Sequence, residues 1–200
     1  MEYIAPIFNS AKEAKDFTVV KIDSFHWEKD GYSRPESYAA LFAVKGEGLH
    51  ALLWSYEENI RCECTENYQP VYTDSCLEFF AAFDKNSDQY VNFEVNSLGT
   101  CLATLRGPGY PVVTIDKLIP VPEMKALVEE DHWSVEFTVP FADIKTLFPN
   151  SKLEKGEYFR ANFYKCGDET AVVHYGMWSE VMCYPPNYHT PQYFGKINII

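Results

Sequence analysis

The sequence predicts an all-β fold, an antiparallel β-sandwich of jelly-roll-like form with one or two short helices. Three observations carry this. About ten short stretches show strand patterning, each bounded by Gly, Pro, Asn, Asp or Ser. Helical periodicity is scarce, so the strand–helix alternation of a parallel α/β sheet is missing. The composition is 46% hydrophobic and 16% aromatic, which supplies a packed core and excludes a disordered chain.

The elements follow in chain order. Residues 10–16 read as a helical turn or two capped by Ser10. Phe17 to Phe25 is β-rich. Tyr38 to Lys45 and Leu49 to Tyr56 flank Gly46-Glu-Gly48 as a hairpin. Cys76 to Phe83 and Gln89 to Asn96 flank the polar turn Asp84–Asp88. Cys101 to Arg106 follows a turn at Gly99. Residues 107–131 carry four prolines and two glycines and read as a long excursion with a short strand near Val112 to Ile115. Trp133, Val135, Phe137 and Val139 alternate with polar residues in a half-buried strand. Pro140 to Phe148 suits a short helix with proline in its first turn. Tyr158 to Cys166 and His174 onward form a strand pair, and Tyr193 to Ile200 closes the chain. Two hundred residues suffice for one sizeable core, and too few strands lie on either side of 107–131 for two. Residues 1–200 are therefore read as a single domain.

Charge narrows the function. The net charge is −12, so the surface repels phosphate backbones and nucleic acid is not an expected partner. No apolar run approaches the ~20 residues of a membrane span, so no membrane insertion is expected. Residues 1–16 lack a basic segment followed by an apolar stretch, so no signal peptide is expected. The chain reads as cytosolic as it stands, or as extracellular if a leader has been removed. The six cysteines occupy mostly strand-like apolar contexts and read as reduced core residues. Cys62-Glu-Cys64 lacks a second ligand pair at zinc-finger spacing.

Candidate chemistry lies on one parity of several strands. Tyr158, Arg160, Asn162 and Tyr164 alternate with Phe159, Ala161 and Phe163. Tyr90, Asn92, Glu94 and Asn96 alternate with Val91, Phe93 and Val95. Thr104 and Arg106 stand opposite Cys101, Ala103 and Leu105, and Glu78 is the charged member of its strand. His174 and Trp178 share a parity and join this face if no bulge intervenes. Together these residues would form a sheet face of amide, carboxylate, guanidinium and indole groups. That mixture suits a sugar, whose C–H faces pack on aromatic rings while its hydroxyls need donors and acceptors. A one-sided antiparallel sheet also wets its outer face, so alternation alone does not separate a ligand face from a solvated one. Trp133, on the apolar parity, reads as core, and Trp54 leans the same way. Trp27 stays open.

Other chemistries have weaker signatures. The loop Asp84–Asp88 begins like a calcium loop, but Gln89 and Val95 stand where glycine and glutamate are required. Glu78, Glu94 and Glu180 would be the acids of a glycoside hydrolase, without a local motif pairing them. No nucleophile elbow, HExxH or phosphate-binding glycine loop is present.

A family resemblance adds to this reading. The carriers are Val71-Tyr-Thr-Asp-Ser-Cys-Leu-Glu78, Tyr90-Val-Asn-Phe-Glu-Val-Asn96 with Gly99, and Trp133 with Val139-Pro-Phe141. They continue with Phe159-Arg-Ala-Asn-Phe-Tyr-Lys-Cys166, His174-Tyr-Gly-Met-Trp178-Ser, and Pro186-Asn-Tyr-His-Thr-Pro191 before Phe194-Gly195. In order and spacing, from about residue 18 to the C-terminus, these resemble family 9 carbohydrate-binding modules of the DOMON-like superfamily. The resemblance implies a non-catalytic β-sandwich that binds an oligosaccharide or polysaccharide, and an association with xylanases and carbohydrate catabolism. It implies a glucan or xylan chain end held between two aromatic rings. Trp178 would be one ring and Tyr72 the other, at a position where the family often has tryptophan. Glu78, Arg160, Asn162, Arg106 and His174 would contact the ligand. No cofactor is expected, although the family also uses structural calcium. A DOMON-like haem or redox module, ligated by His174 with Met177 or Met182, is the remaining alternative.

Overall fold

The computed structural model describes residues 1–29 and 31–200 as a β-sandwich of two mixed sheets. Strands are numbered along the chain. The larger sheet runs in the order β1 (Glu2–Ala5), β14 (Gly195–Ile199), β12 (Tyr158–Gly167), β6 (Cys76–Ala82), β7 (Tyr90–Asn96), β8 (Cys101–Gly107) and β9 (Tyr110–Thr114), with β13 (His174–Met177) also paired to β12. The smaller runs β10 (Lys125–Val128), β11 (Trp133–Pro140), β5 (Gly48–Tyr56), β4 (Glu36–Val44) and β2 (Ile7–Phe8), with β3 (Val19–Lys21) paired to β4. Pairing is antiparallel except for β1 on β14 and β2 on β4, which are parallel.

Alternation sets the core. Leu77, Phe79 and Ala81 of β6, Val91, Phe93 and Val95 of β7, and Phe159, Ala161 and Phe163 of β12 face inward. From the smaller sheet they meet Leu41, Leu53, Trp133 and Phe137. Phe79 stacks on Phe163 at 5.4 Å and reaches Phe137 of the opposite sheet at 6.4 Å between ring centroids. The β4–β5 hairpin turns at Gly46, whose φ of +76° falls in the left-handed region that glycine tolerates. The helix α1 (Phe141–Leu147) starts after Pro140 and buries Ile144 and Leu147.

The expected strands appear, with additions at the edges. The 107–131 excursion contains β9 and also β10, and β1 and β2 lie at the N-terminus. Both β1 and β2 are short, and each is held by a parallel partner far along the chain. The turn near Ser10 is a 3-10 turn over Ala11–Glu13, and the Ser10 side chain makes no capping hydrogen bond.

The outer face of the larger sheet carries a second apolar layer. Phe80, Tyr90, Tyr164, Cys166 and Met177 pack there against Trp27, Val71, Tyr188 and Phe194 from the covering loops. Asp74 ties one of these loops down. Its buried carboxylate accepts hydrogen bonds from the backbone N–H groups of Glu63 (3.0 Å) and Cys64 (2.9 Å) and from Asn96 Nδ2 (3.0 Å), and it pairs with Arg61.

Two residues assigned by sequence to the polar face turn out to lie on the core face. In the β12–β13 register Gly167 pairs with His174, Cys166 with Tyr175, and Tyr164 with Met177. Tyr175 and Met177 therefore share a face with Tyr164, and His174 does not. Trp178 packs into the main core, edge-on to Tyr3 at 6.3 Å and tilted on Phe163 at 5.6 Å. It is 3% exposed and lies over Gly195, where a Cβ would come within 2.5 Å of the indole. His174 sits in a buried polar cluster with Lys165 and Glu57. Lys165 Nζ donates to His174 Nε2 at 2.6 Å and pairs with Glu57 at 3.1 Å, while His174 Nδ1 donates to the Val172 carbonyl. Burial would raise the Glu57 carboxyl, but Lys165 and His174 outweigh it and hold the group below its ordinary value. Met177 is on the opposite face and Met182 is exposed, so neither can join His174 as a haem ligand.

Trp178→Ala should lower stability by about 3–5 kcal/mol through cavity formation, measured by equilibrium urea unfolding; unchanged stability would contradict the core placement. Burial, reinforced by Lys165, pushes the His174 imidazole down to about 4 from 6.5. Below pH 6.5 the unfolded chain takes up a proton that the folded chain refuses until about pH 4. This contribution to stability is therefore complete above pH 6.5 and declines as pH falls to 4, by at most about 1.4 kcal/mol per pH unit. In His174→Gln the stability profile should flatten across that window, and an unaltered slope would assign it to other groups.

Candidate functional site

The candidate site is a pocket of about 230 Å³ on the outer face of the larger sheet. Its floor follows from strand alternation. Because Leu77, Phe79 and Ala81 point into the core, Glu78 and Phe80 point outward, beside Glu94 of β7 and Cys166 of β12. Glu78 pairs in register with both Glu94 and Tyr164.

The walls come from loops. Tyr72 stands on the 3-10 turn Val71–Thr73. Backbone hydrogen bonds from Asp168 to the Tyr72 carbonyl (3.1 Å) and from Glu169 to the Thr73 carbonyl (3.2 Å) fasten this turn to the end of β12. The Tyr72 side chain is 41% exposed, so its ring is available to a ligand. Asp168 and Tyr175 come from the β12–β13 connection and β13, and Trp27 from the loop after β3. Trp27 Nε1 donates to the Cys183 carbonyl at 2.8 Å, and its ring leans on Tyr188 at 5.2 Å. Tyr188 in turn stacks on Tyr164 at 3.9 Å, and its hydroxyl donates to the Gly176 carbonyl at 3.0 Å. His189 stacks on Phe80 at 5.1 Å and shares a 2.9 Å hydrogen bond with the Tyr90 hydroxyl.

The polar groups are held away from their ordinary ionisation. Burial pushes Glu94 up to about 8, against the opposing pull of Arg106. Burial also raises Glu78 well above the carboxylate range, reinforced by Cys166 and Glu94, and it raises Asp168. His189 is pushed down to about 4 by burial and by Arg106. Near neutral pH the His189 imidazole is thus largely uncharged, and burial biases the Glu78 carboxyl toward its protonated form. An uncharged carboxyl both donates and accepts hydrogen bonds, as a neutral imidazole does. Asn92 Nδ2 donates to Glu94 Oε1 at 2.9 Å and fixes that carboxyl in place.

Of the sequence candidates, the pocket brings together Tyr72, Glu78 and Glu94. Arg106 is adjacent: Nε donates to Thr104 Oγ1 at 3.0 Å and its charge acts on Glu94 and His189. Arg160 and Asn162 have the expected parity but serve as loop clamps. Arg160 donates to the Pro191 carbonyl (3.1 Å) and the Ser87 carbonyl (2.7 Å) and pairs with Asp88. It lies four residues along β12 from Tyr164, roughly 13 Å from Glu78's neighbour. Asn162 is fully buried, with Nδ2 donating to the Ser179 carbonyl and Oδ1 accepting from Ser179 N–H. His174 and Trp178 belong to the sandwich interior. Glu180 is outside the pocket, facing His26. In the Asp84–Asp88 loop, Asp84 accepts from Asn86 N–H and Asp88 holds Arg160, so both carboxylates have protein partners.

Sequence reasoning did not assign Trp27, Asp168, Tyr175, Tyr188 or His189 to the site. Tyr188 and His189 lie within the Pro186–Pro191 motif and were legible there as a conspicuous aromatic pair. Asp168 and Tyr175 depend on the β12–β13 register, and Trp27 on a loop path that no periodicity marks.

Comparison with known proteins agrees with the geometry. The model of carbohydrate-binding family 9 matches residues 8–199. No curated protein matches the chain. A crystal structure from Bacteroides uniformis ATCC 8492, of a protein whose carbohydrate-binding role is provisionally assigned, is similar at TM-score 0.83 and 20% identity, covering 100% of this chain and 99% of the other. A family 9 carbohydrate-binding module from Caldicellulosiruptor kristjanssonii is similar in its complex with glucose (TM-score 0.66, 12% identity, 100% and 96% coverage) and with cellotriose (0.67, 13%, 100% and 93%). At these identities the solved structures show a shared fold. With the match over nearly all its length, the chain belongs to carbohydrate-binding family 9, a family of non-catalytic modules.

Proposed function

We propose that the protein binds carbohydrate without cleaving it, holding the terminal ring of a glucan or xylan chain, or a short oligosaccharide, in the pocket beside Tyr72. The observation that carries this is a pocket with aromatic walls over a floor of carboxyl groups. Aromatic rings match the C–H faces of a pyranose, and the carboxyl, amide and imidazole groups of Glu94, Asp168, Asn187 and His189 match its hydroxyls. The pocket is smaller than the roughly 300–1,000 Å³ of drug-sized ligand sites, which favours one ring at a chain end over a grooved, mid-chain grip. Family membership and the glucose and cellotriose complexes of the Caldicellulosiruptor module support the same ligand class.

The pairing of Glu78 with Glu94 argues in the same direction. The two stand directly opposite on neighbouring strands of one floor. A glycosidase sets its acids on either side of the scissile bond.

Calorimetric titration with glucose, cellotriose and xylotriose should detect binding of at least one. Tyr72→Ala should weaken it at least about tenfold, or roughly 1.4 kcal/mol, with the fold intact because the ring is largely exposed. Glu94→Gln should weaken binding without loss of stability, since it removes a buried ionisable group while keeping its shape. Failure of all three sugars would sink the carbohydrate reading, and full binding by Tyr72→Ala would sink the pocket assignment.

A further inference from the structure

Two buried thiols meet a buried carboxyl at the floor of the pocket. Cys76 and Cys166 are direct partners in the β6–β12 register, and Glu78 is two residues along β6 on the same face. One ligand atom from each lies within 4.8 Å of the other two. All three residues are buried, while Glu78 and Cys166 also line the pocket.

Packing alone accounts poorly for this set. A buried cysteine behaves as a small hydrophobe, but a buried carboxyl needs hydrogen-bond partners, and it needs a cation as well once ionised. Among the described residues the hydrogen-bond donor to Glu78 is the Cys166 thiol, at 2.8 Å, which is a weak one. Lys165 turns to the opposite face of the sheet to meet Glu57, and Arg106 acts on Glu94.

The geometry points to a zinc-type metal site formed by Cys76 Sγ, Cys166 Sγ and one Glu78 oxygen, with a fourth coordination position open to the pocket. Thiolate and carboxylate are both zinc ligands, at about 2.3 and 2.0–2.2 Å. Tetrahedral sites then need donors roughly 3.3–3.8 Å apart, close to the 4.8 Å within which these three atoms already lie. Calcium is a poor match, because it takes six to eight oxygen donors. On binding, the metal displaces the thiol protons to solvent, together with any proton on Glu78, and no electron is transferred. The 2.8 Å contact between Cys166 and Glu78 holds one of those protons in the metal-free chain. Metal binding at these three side chains would not require sugar in the pocket.

The test uses the full chain, reduced and stripped with a chelator, then titrated with cobalt(II) and back-titrated with zinc. One equivalent of cobalt should produce a thiolate-to-cobalt charge-transfer absorption that zinc abolishes. Cys166→Ser and Glu78→Gln should each weaken binding at least about tenfold, whereas Cys62→Ser should leave it unchanged. Absence of the band from the folded wild-type chain overturns the site, as does an equal band in a Cys76→Ser/Cys166→Ser double variant. A Cys76–Cys166 disulfide in the freshly isolated chain, found by mass spectrometry, overturns it as well.

Discussion

The antiparallel pairing of β6 with β12 is the interaction on which the rest of this protein depends. Both strands lie inside the larger sheet, so their backbone groups are satisfied on both sides. Their side chains serve two environments at once. Phe79 and Phe163 meet as partners on the inner face and anchor the aromatic core. Glu78 and Cys166 stand on the outer face and floor the pocket. A slip of one residue in this register would exchange the two sets, placing carboxyl groups in the core and phenylalanines in the pocket. Core stability and pocket geometry are thus enforced by the same ladder of hydrogen bonds.

The outer face is not a wet sheet surface. Loops carrying Trp27, Val71, Tyr188 and Phe194 cover it and create a second, smaller apolar layer. Polar side chains in that layer have therefore been drawn into structural work. Asn162 closes a two-way hydrogen-bond pair with Ser179, Arg160 ties together the Ser87 and Pro191 loops, and Asp74 fastens the strand-free stretch before β6. The pocket is the part of this layer that the loops leave open. Burial favours the neutral forms of Glu94 and His189; the nearby Arg106 cation adds to this at His189 and opposes it at Glu94. In their neutral forms a carboxyl and an imidazole each offer both a donor and an acceptor.

Much of the fold was legible along the chain. Alternation identified the inward faces of β6, β7, β11 and β12, and turn residues bounded the β4–β5 and β6–β7 hairpins. The short strands β1, β2 and β10 were not legible. They have few residues in which to show a period, and β1 and β2 exist through partners remote in sequence. Of the residues that line the candidate pocket, Glu78 and Tyr72 were legible from motif and parity. Trp178 misled because an indole among Gly176, Ser179 and Glu180 reads as exposed, whereas Gly195 across the sheet leaves the space that buries it.

The sequence by itself determined the β-sandwich, its core residues and family 9 membership, because these rest on local alternation and on motifs in fixed order. Only the tertiary structure decided which polar residues line the candidate pocket. The connection between β12 and β13 sets Cys166 opposite Tyr175 and Gly167 opposite His174. That register turns Tyr175 toward the pocket and His174 and Trp178 toward the interior. Parity within a strand is a property of the chain, but parity between strands is a property of their pairing, and loop coverage then decides which outward residues stay open.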